Sequence, residues 1–79
     1  MKMTGRQLAM KMEQILGQNI PKHVFTVSHS NAGIKVNIIF AAKAHEYIAS
    51  KSMTGVQMTA DQIVRNYMAA RYPKPEGAE

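Results

Sequence analysis

Lys22-His-Val-Phe-Thr-Val-Ser-His-Ser30, then Asn31-Ala-Gly33, then Ile34-Lys-Val-Asn-Ile-Ile-Phe-Ala41: this stretch decides how the chain is read. Two runs of alternating apolar and polar residues flank a turn, which is the sequence form of a β-hairpin. Side chains alternate with period two, so Phe25, Val27 and His29 share one face of the first strand. Ile34, Val36, Ile38 and Phe40 share one face of the second. Setting Val27 against Ile38 and Phe25 against Phe40 collects them on one side and leaves Ala32-Gly33 as a two-residue loop. Gly33 supplies a positive φ without steric cost, but Ala32 suits a primed turn poorly. A four-residue loop from Asn31 to Ile34 is the equal alternative. The opposite face carries Val24, Thr26, Ser28, Ser30, Lys35, Asn37 and Ile39 and is mostly polar, with Ile39 as the exception.

The flanks read as helices that cover the apolar face. Helix one is expected from Gly5 to Leu16, with Thr4 as N-cap, Gln7 completing a capping box and Met3 stapling onto Leu8. Leu8, Met12, Ile15 and Leu16 form its apolar stripe. Met10 lies on the opposite side and reads as an exposed methionine. Gly17 and Pro21 end the helix. A second, alanine-rich helix is expected from Ala41 or Ala42 to Lys51, followed by a break at Ser52–Met58 with Gly55 as its pivot. A short strand at Val56–Met58 is the other reading of that break. Helix three is expected from Ala60 to Arg71, with Thr59 as cap, Gln62 as box partner and Met58 stapling onto Ile63. Ile63, Val64, Tyr67 and Ala70 are its buried face. Tyr72-Pro73 ends it, because the residue before proline disfavours helix.

The expected fold is therefore a small α+β domain of order α-β-β-α-α over residues 1–72, an antiparallel hairpin covered on one face by helices. Residues 73–79 are expected to form a disordered tail, having no apolar anchor. The double-stranded-RNA-binding domain is also a helix, an antiparallel sheet and a closing helix. It carries three strands and a lysine-rich start to its last helix. Here two strands are clear and the last helix opens Ala60-Asp61-Gln62, so that pattern is not met.

Seventy-nine residues without cysteine make one domain near the lower size limit for folding unaided, with no disulfide and no thiolate metal site. No apolar run approaches the roughly 18 residues that span a bilayer, and Met1–Gln7 lacks the apolar centre of a signal peptide. A cytoplasmic protein is expected. Lys plus Arg number 10 against 5 for Asp plus Glu, and Glu76 and Glu79 lie in the tail, so residues 1–75 carry +7. Such a body attracts polyanions.

No constellation for catalysis stands out. His23, His29 and His45 have no i, i+4 helical spacing between them, and there is no cysteine partner for a metal. His45 and Glu46 are adjacent, and adjacent residues of a helix point about 100° apart. There is no glycine-rich phosphate loop, nucleophile elbow or carboxylate pair. The chain reads as a non-enzymatic binding module with no cofactor. The first reading is contact with nucleic-acid backbone without sequence preference, through Lys22, Lys35, Arg6 and Arg65. The second is a protein-interaction module, an inhibitor or adaptor of a larger complex of the phage or mobile-element kind. That module would act through a sheet edge or helix face, and the open edges also suggest a homodimer.

Overall fold

The computed structural model describes residues 3–71 and places two helices on one face of a three-stranded antiparallel sheet. Helix α1 spans Gly5–Gly17, a 3₁₀ turn covers Lys22–Val24, and strands β1, β2 and β3 span Phe25–Ser30, Gly33–Phe40 and Lys43–Ala49. Helix α2 spans Met53–Arg71 and closes the domain. The α+β class and the single covered face agree with the sequence reading; the element order is α-β-β-β-α.

The start of α1 is as expected. Thr4 Oγ1 accepts from the Gln7 amide at 3.1 Å, and Gln7 Oε1 accepts from the Thr4 amide at 2.9 Å. Together these bonds satisfy two amides that the first turn would otherwise leave open. Leu8, Met12 and Leu16 are buried, Ile15 is half-buried and Met10 is exposed. Beyond the helix, the amide of Ile20 donates to the Leu16 carbonyl at 2.9 Å and turns Ile20 into the core.

The hairpin forms with a register shifted by two residues from the expected one. Phe25 lies opposite Ile38, Val27 opposite Val36 and Ser30 opposite Gly33, so the loop is Asn31-Ala32. A shift of two keeps every side chain on its expected face, whereas a shift of one would exchange them. The reason lies in the turn. Ser30 Oγ accepts from the Ala32 amide at 3.2 Å, and Gly33 takes φ 141° as the first residue of β2. A Cβ there would run into the carbonyl oxygen of Ala49 on β3, so only glycine fits. Ile34, Val36 and Ile38 of β2 have no exposed surface. Phe25 is buried, while Val27 and Phe40 are half-buried at the rim.

The segment expected as an alanine-rich helix is strand β3. It pairs with β2 from Phe40 opposite Lys43 to Ile34 opposite Ala49. Its inward side chains are His45, Tyr47 and Ala49; Ala44 and Ile48 face outward beside Glu46. Helix propensity favours this alanine-rich run, but pairing with β2 outweighs a preference of a few tenths of a kcal/mol per residue. The connecting loop is Ala41-Ala42, with φ of 55° and 62°. Two positive φ values are what a primed two-residue hairpin turn demands, and alanine meets that demand at a cost.

Helix α2 begins seven residues before the expected Ala60. Ser52 is the cap: its Oγ accepts from the Gly55 amide and its carbonyl from the Val56 amide, both at 2.9 Å. Thr59 is therefore a mid-helix residue rather than a cap, Met58 is exposed rather than stapled, and Val56–Met58 is helical rather than a strand. Gly55 is not a pivot. It lies in the first turn of α2, where a Cβ would run into Ser50. Val56, Ala60, Ile63 and Tyr67 form the buried stripe; Val64 is half-buried and Ala70 exposed. The expected helix end at Tyr72-Pro73 and the expected tail lie outside the described residues.

Two substitutions test this fold. Ile38→Ala empties the centre of the core and should cost about 2–5 kcal/mol in chemical denaturation. Ala42→Gly relieves one left-handed alanine and should stabilise by about 1 kcal/mol, read as a higher Tm.

Candidate functional site

The strand directions divide the molecule into two ends. Strand β1 runs toward the Asn31-Ala32 turn, and β3 ends beside it, because Ala49 pairs with Ile34. Both helices start at this same end. Gly5 of α1 lies against His29, where a Cβ would be 3.1 Å from Nδ1. Ser52 caps α2 three residues after the end of β3. Neither helix has an acidic residue in its first turn. A helix N-terminus carries roughly half a unit of positive charge and exposes amides. Arg6 stands in the first turn of α1, and Lys51 immediately precedes the α2 cap; both are exposed.

The opposite end gathers the helix C-termini, the 3₁₀ turn and the β2–β3 turn. It is aromatic. The Phe40 and His45 rings stack with centroids 4.0 Å apart and planes 10° from parallel, and Tyr67 meets Phe40 edge-on at 6.0 Å. His45 Nε2 is 3.3 Å from the Phe40 carbonyl oxygen. Arg71 Nη1 donates to Tyr67 Oη, and Asn66 Nδ2 donates to Tyr47 Oη, each at 3.0 Å. These contacts tie β3 and the end of α2 to the β2–β3 turn.

The four cations singled out in the sequence do not meet. Arg6 is at the helix-start end. Lys22 is at the other, in the 3₁₀ turn, where its Cε would be 3.6 Å from a Cβ on Gly17. Lys35 lies on the uncovered sheet face with Nζ 3.1 Å from Glu46 Oε2, and Arg65 on α2 has Nε 3.1 Å from Asp61 Oδ2. Two of the four therefore already have a carboxylate partner. Lys51 is not among the four; its place at the helix-start end follows from β3 and α2 standing where a helix and a break are expected. Its signal was Ser52-Met-Thr-Gly55, a serine spaced three residues from the amide it caps.

The three histidines are dispersed: His23 in the 3₁₀ turn, His29 on β1 and His45 on β3. Among the described residues no group of three or more His, Asp or Glu side chains is placed to hold a metal ion. None of the described helices is long and apolar enough to cross a membrane. Comparison with family models, curated proteins and solved structures returns no match.

Both ion pairs are solvent-exposed, with Lys35 and Glu46 side chains at 45% and 51% exposure. A double-mutant cycle on Lys35 and Glu46 should give a coupling below about 1 kcal/mol, shrinking as salt is raised.

Proposed function

We propose that the domain binds the phosphate backbone of nucleic acid, without chemistry and without reading base edges. The binding surface is the end where the two helix N-termini meet the β1–β2 turn. The observation that carries this reading is the placement of the acids. Among the described residues there are three. Glu13 stands in the later half of α1, and Glu46 and Asp61 are mid-element, each paired with a cation. The helix-start end thus presents Arg6, Lys51, two helix dipoles and the hydroxyls of Ser30 and Ser50, with no carboxylate among the described residues to oppose a phosphate.

The element order adds a fold-level analogy. A helix, three antiparallel strands and a closing helix is the order of the double-stranded-RNA-binding domain, which recognises duplex shape and backbone. The third strand, absent from the sequence reading, is β3. Ala60-Asp61-Gln62 lies inside α2, so it no longer counts against the likeness. The likeness is one of element order alone, and a single lysine, Lys51, precedes α2 where that domain is lysine-rich. Fold likeness alone assigns no function, so the charge placement carries the reading.

The test is an anisotropy titration against duplex RNA, duplex DNA and single strands at two salt concentrations. Duplex binding should fall in the range of about 10⁻⁴–10⁻⁶ M at physiological salt and weaken steeply as salt rises. Arg6→Ala and Lys51→Ala should each reduce the salt slope by about one. Lys22→Ala, Lys35→Ala and Arg65→Ala should change it less. No binding below about 100 μM at low salt would end the nucleic-acid reading and give precedence to a protein partner.

A further inference from the structure

We propose that β1 is the interface of a homodimer, pairing antiparallel with β1 of a second copy about a two-fold axis at Val27. The inference is independent of nucleic-acid binding.

Among the described residues the sheet order β1-β2-β3 leaves two edges open, and they differ in chemistry. Monomeric proteins guard edge strands with charged side chains, proline or bulges, because an unguarded ladder recruits further strands. Strand β3 has such guards in Lys43 and Glu46. Strand β1 reads Phe-Thr-Val-Ser-His-Ser, with no Lys, Arg, Asp, Glu or proline in six residues. It pairs with β2 along its whole length without a break, so its other side presents a continuous row of amides and carbonyls.

The strand is also complementary to itself. A two-fold axis perpendicular to the sheet requires opposed residues to share a face. With Val27 on the axis, Val27 meets its own copy, Phe25 meets His29 of the second copy and Thr26 meets Ser28. The inner-face row is then apolar and aromatic, and the outer-face row is a Thr–Ser pair, both favoured cross-strand combinations. No charge is opposed by a like charge. On β3, a two-fold axis at Glu46 would oppose two carboxylates, which disfavours pairing there.

Exposure on the same flank agrees. Val27 is only half-buried although it lies on the core face. Met10 is 60% exposed and lines a cleft with Glu13, Gln14, Lys22 and Phe25 beside this edge. A second copy extending the sheet would cover both apolar side chains and join two three-stranded sheets into one of six strands. The contact is closed and isologous, so it stops at two copies.

The test is sedimentation of the full chain at micromolar concentration, with circular dichroism to confirm folding. The parent should sediment at twice 8.8 kDa. Thr26→Lys with Ser28→Lys sets like charges across the axis on exposed positions and should give the 8.8 kDa species with an unchanged spectrum. Thr26→Glu with Ser28→Lys carries the same number of substitutions but opposes unlike charges, and should restore the dimer. A parent that stays at 8.8 kDa up to 100-fold higher concentration would overturn the proposal. So would a folded Thr26→Lys, Ser28→Lys variant that remains dimeric, or dissociation by Ala44→Lys on β3 in place of β1.

Discussion

The structure depends on β2. Among the described residues it is the only strand with neighbours on both sides, and its three inner side chains, Ile34, Val36 and Ile38, are sealed beneath the helices. Helix α1 covers the β1 side of that row and α2 the β3 side, and the helices pack on each other above it. These three are among the seven largest fully buried side chains, so burial of this one row carries a large share of the stability of so small a domain. The requirements at both ends of β2 follow from this. Gly33 must be glycine for β3 to lie close, and Ala41 and Ala42 must take left-handed conformations to bring β3 back alongside.

Much of the fold could be read from residues whose chemistry is local. The Thr4–Gln7 box and the Leu8, Met12, Leu16 stripe specify α1 from residues at most four apart along the chain. The alternation across Phe25–Phe40 specifies a hairpin and its faces. What was not legible depends on contacts distant in sequence. Strand β3 has Ala44 and Ile48 facing outward and His45 and Tyr47 facing inward, so its alternation lacks contrast and its alanines point to helix. Pairing with β2 decides it. The start of α2 was obscured because Met58-Thr-Ala-Asp-Gln-Ile63 imitates a capping box, while the true cap, Ser52, is followed by Met53-Thr-Gly55, a weak helical opening. The hairpin register differed by two because the side chain of Ser30 and the close approach of Ala49 to Gly33 fix the loop at Asn31-Ala32.

The site was less legible than the fold. Counting cations identified a positive body but not where its charge is free to act. That depends on which carboxylates stand beside which cations, and on which ends of the helices meet. Lys35 and Arg65 were reasonable choices by position, yet each has a carboxylate 3.1 Å away. Lys51 gains its place only because β3 and α2 replace a helix and a break. The two proposed surfaces adjoin: the anion-binding end would include Ser30 and the β1–β2 turn, and the β1 edge would include His29, which lies against Gly5 at that same end.

The fold requires Lys43–Ala49 to be a strand, paired with β2 and covered by α2. Nuclear Overhauser effects across that segment test it most directly. Cross-strand contacts should appear between the backbones of β2 and β3, with Val36 opposite Tyr47 and Ile38 opposite His45, together with a contact from the Tyr47 ring to the Asn66 side chain. Sequential i to i+3 contacts running from Ala42 to Lys51, with no cross-strand contact to β2, would show a helix there and contradict it.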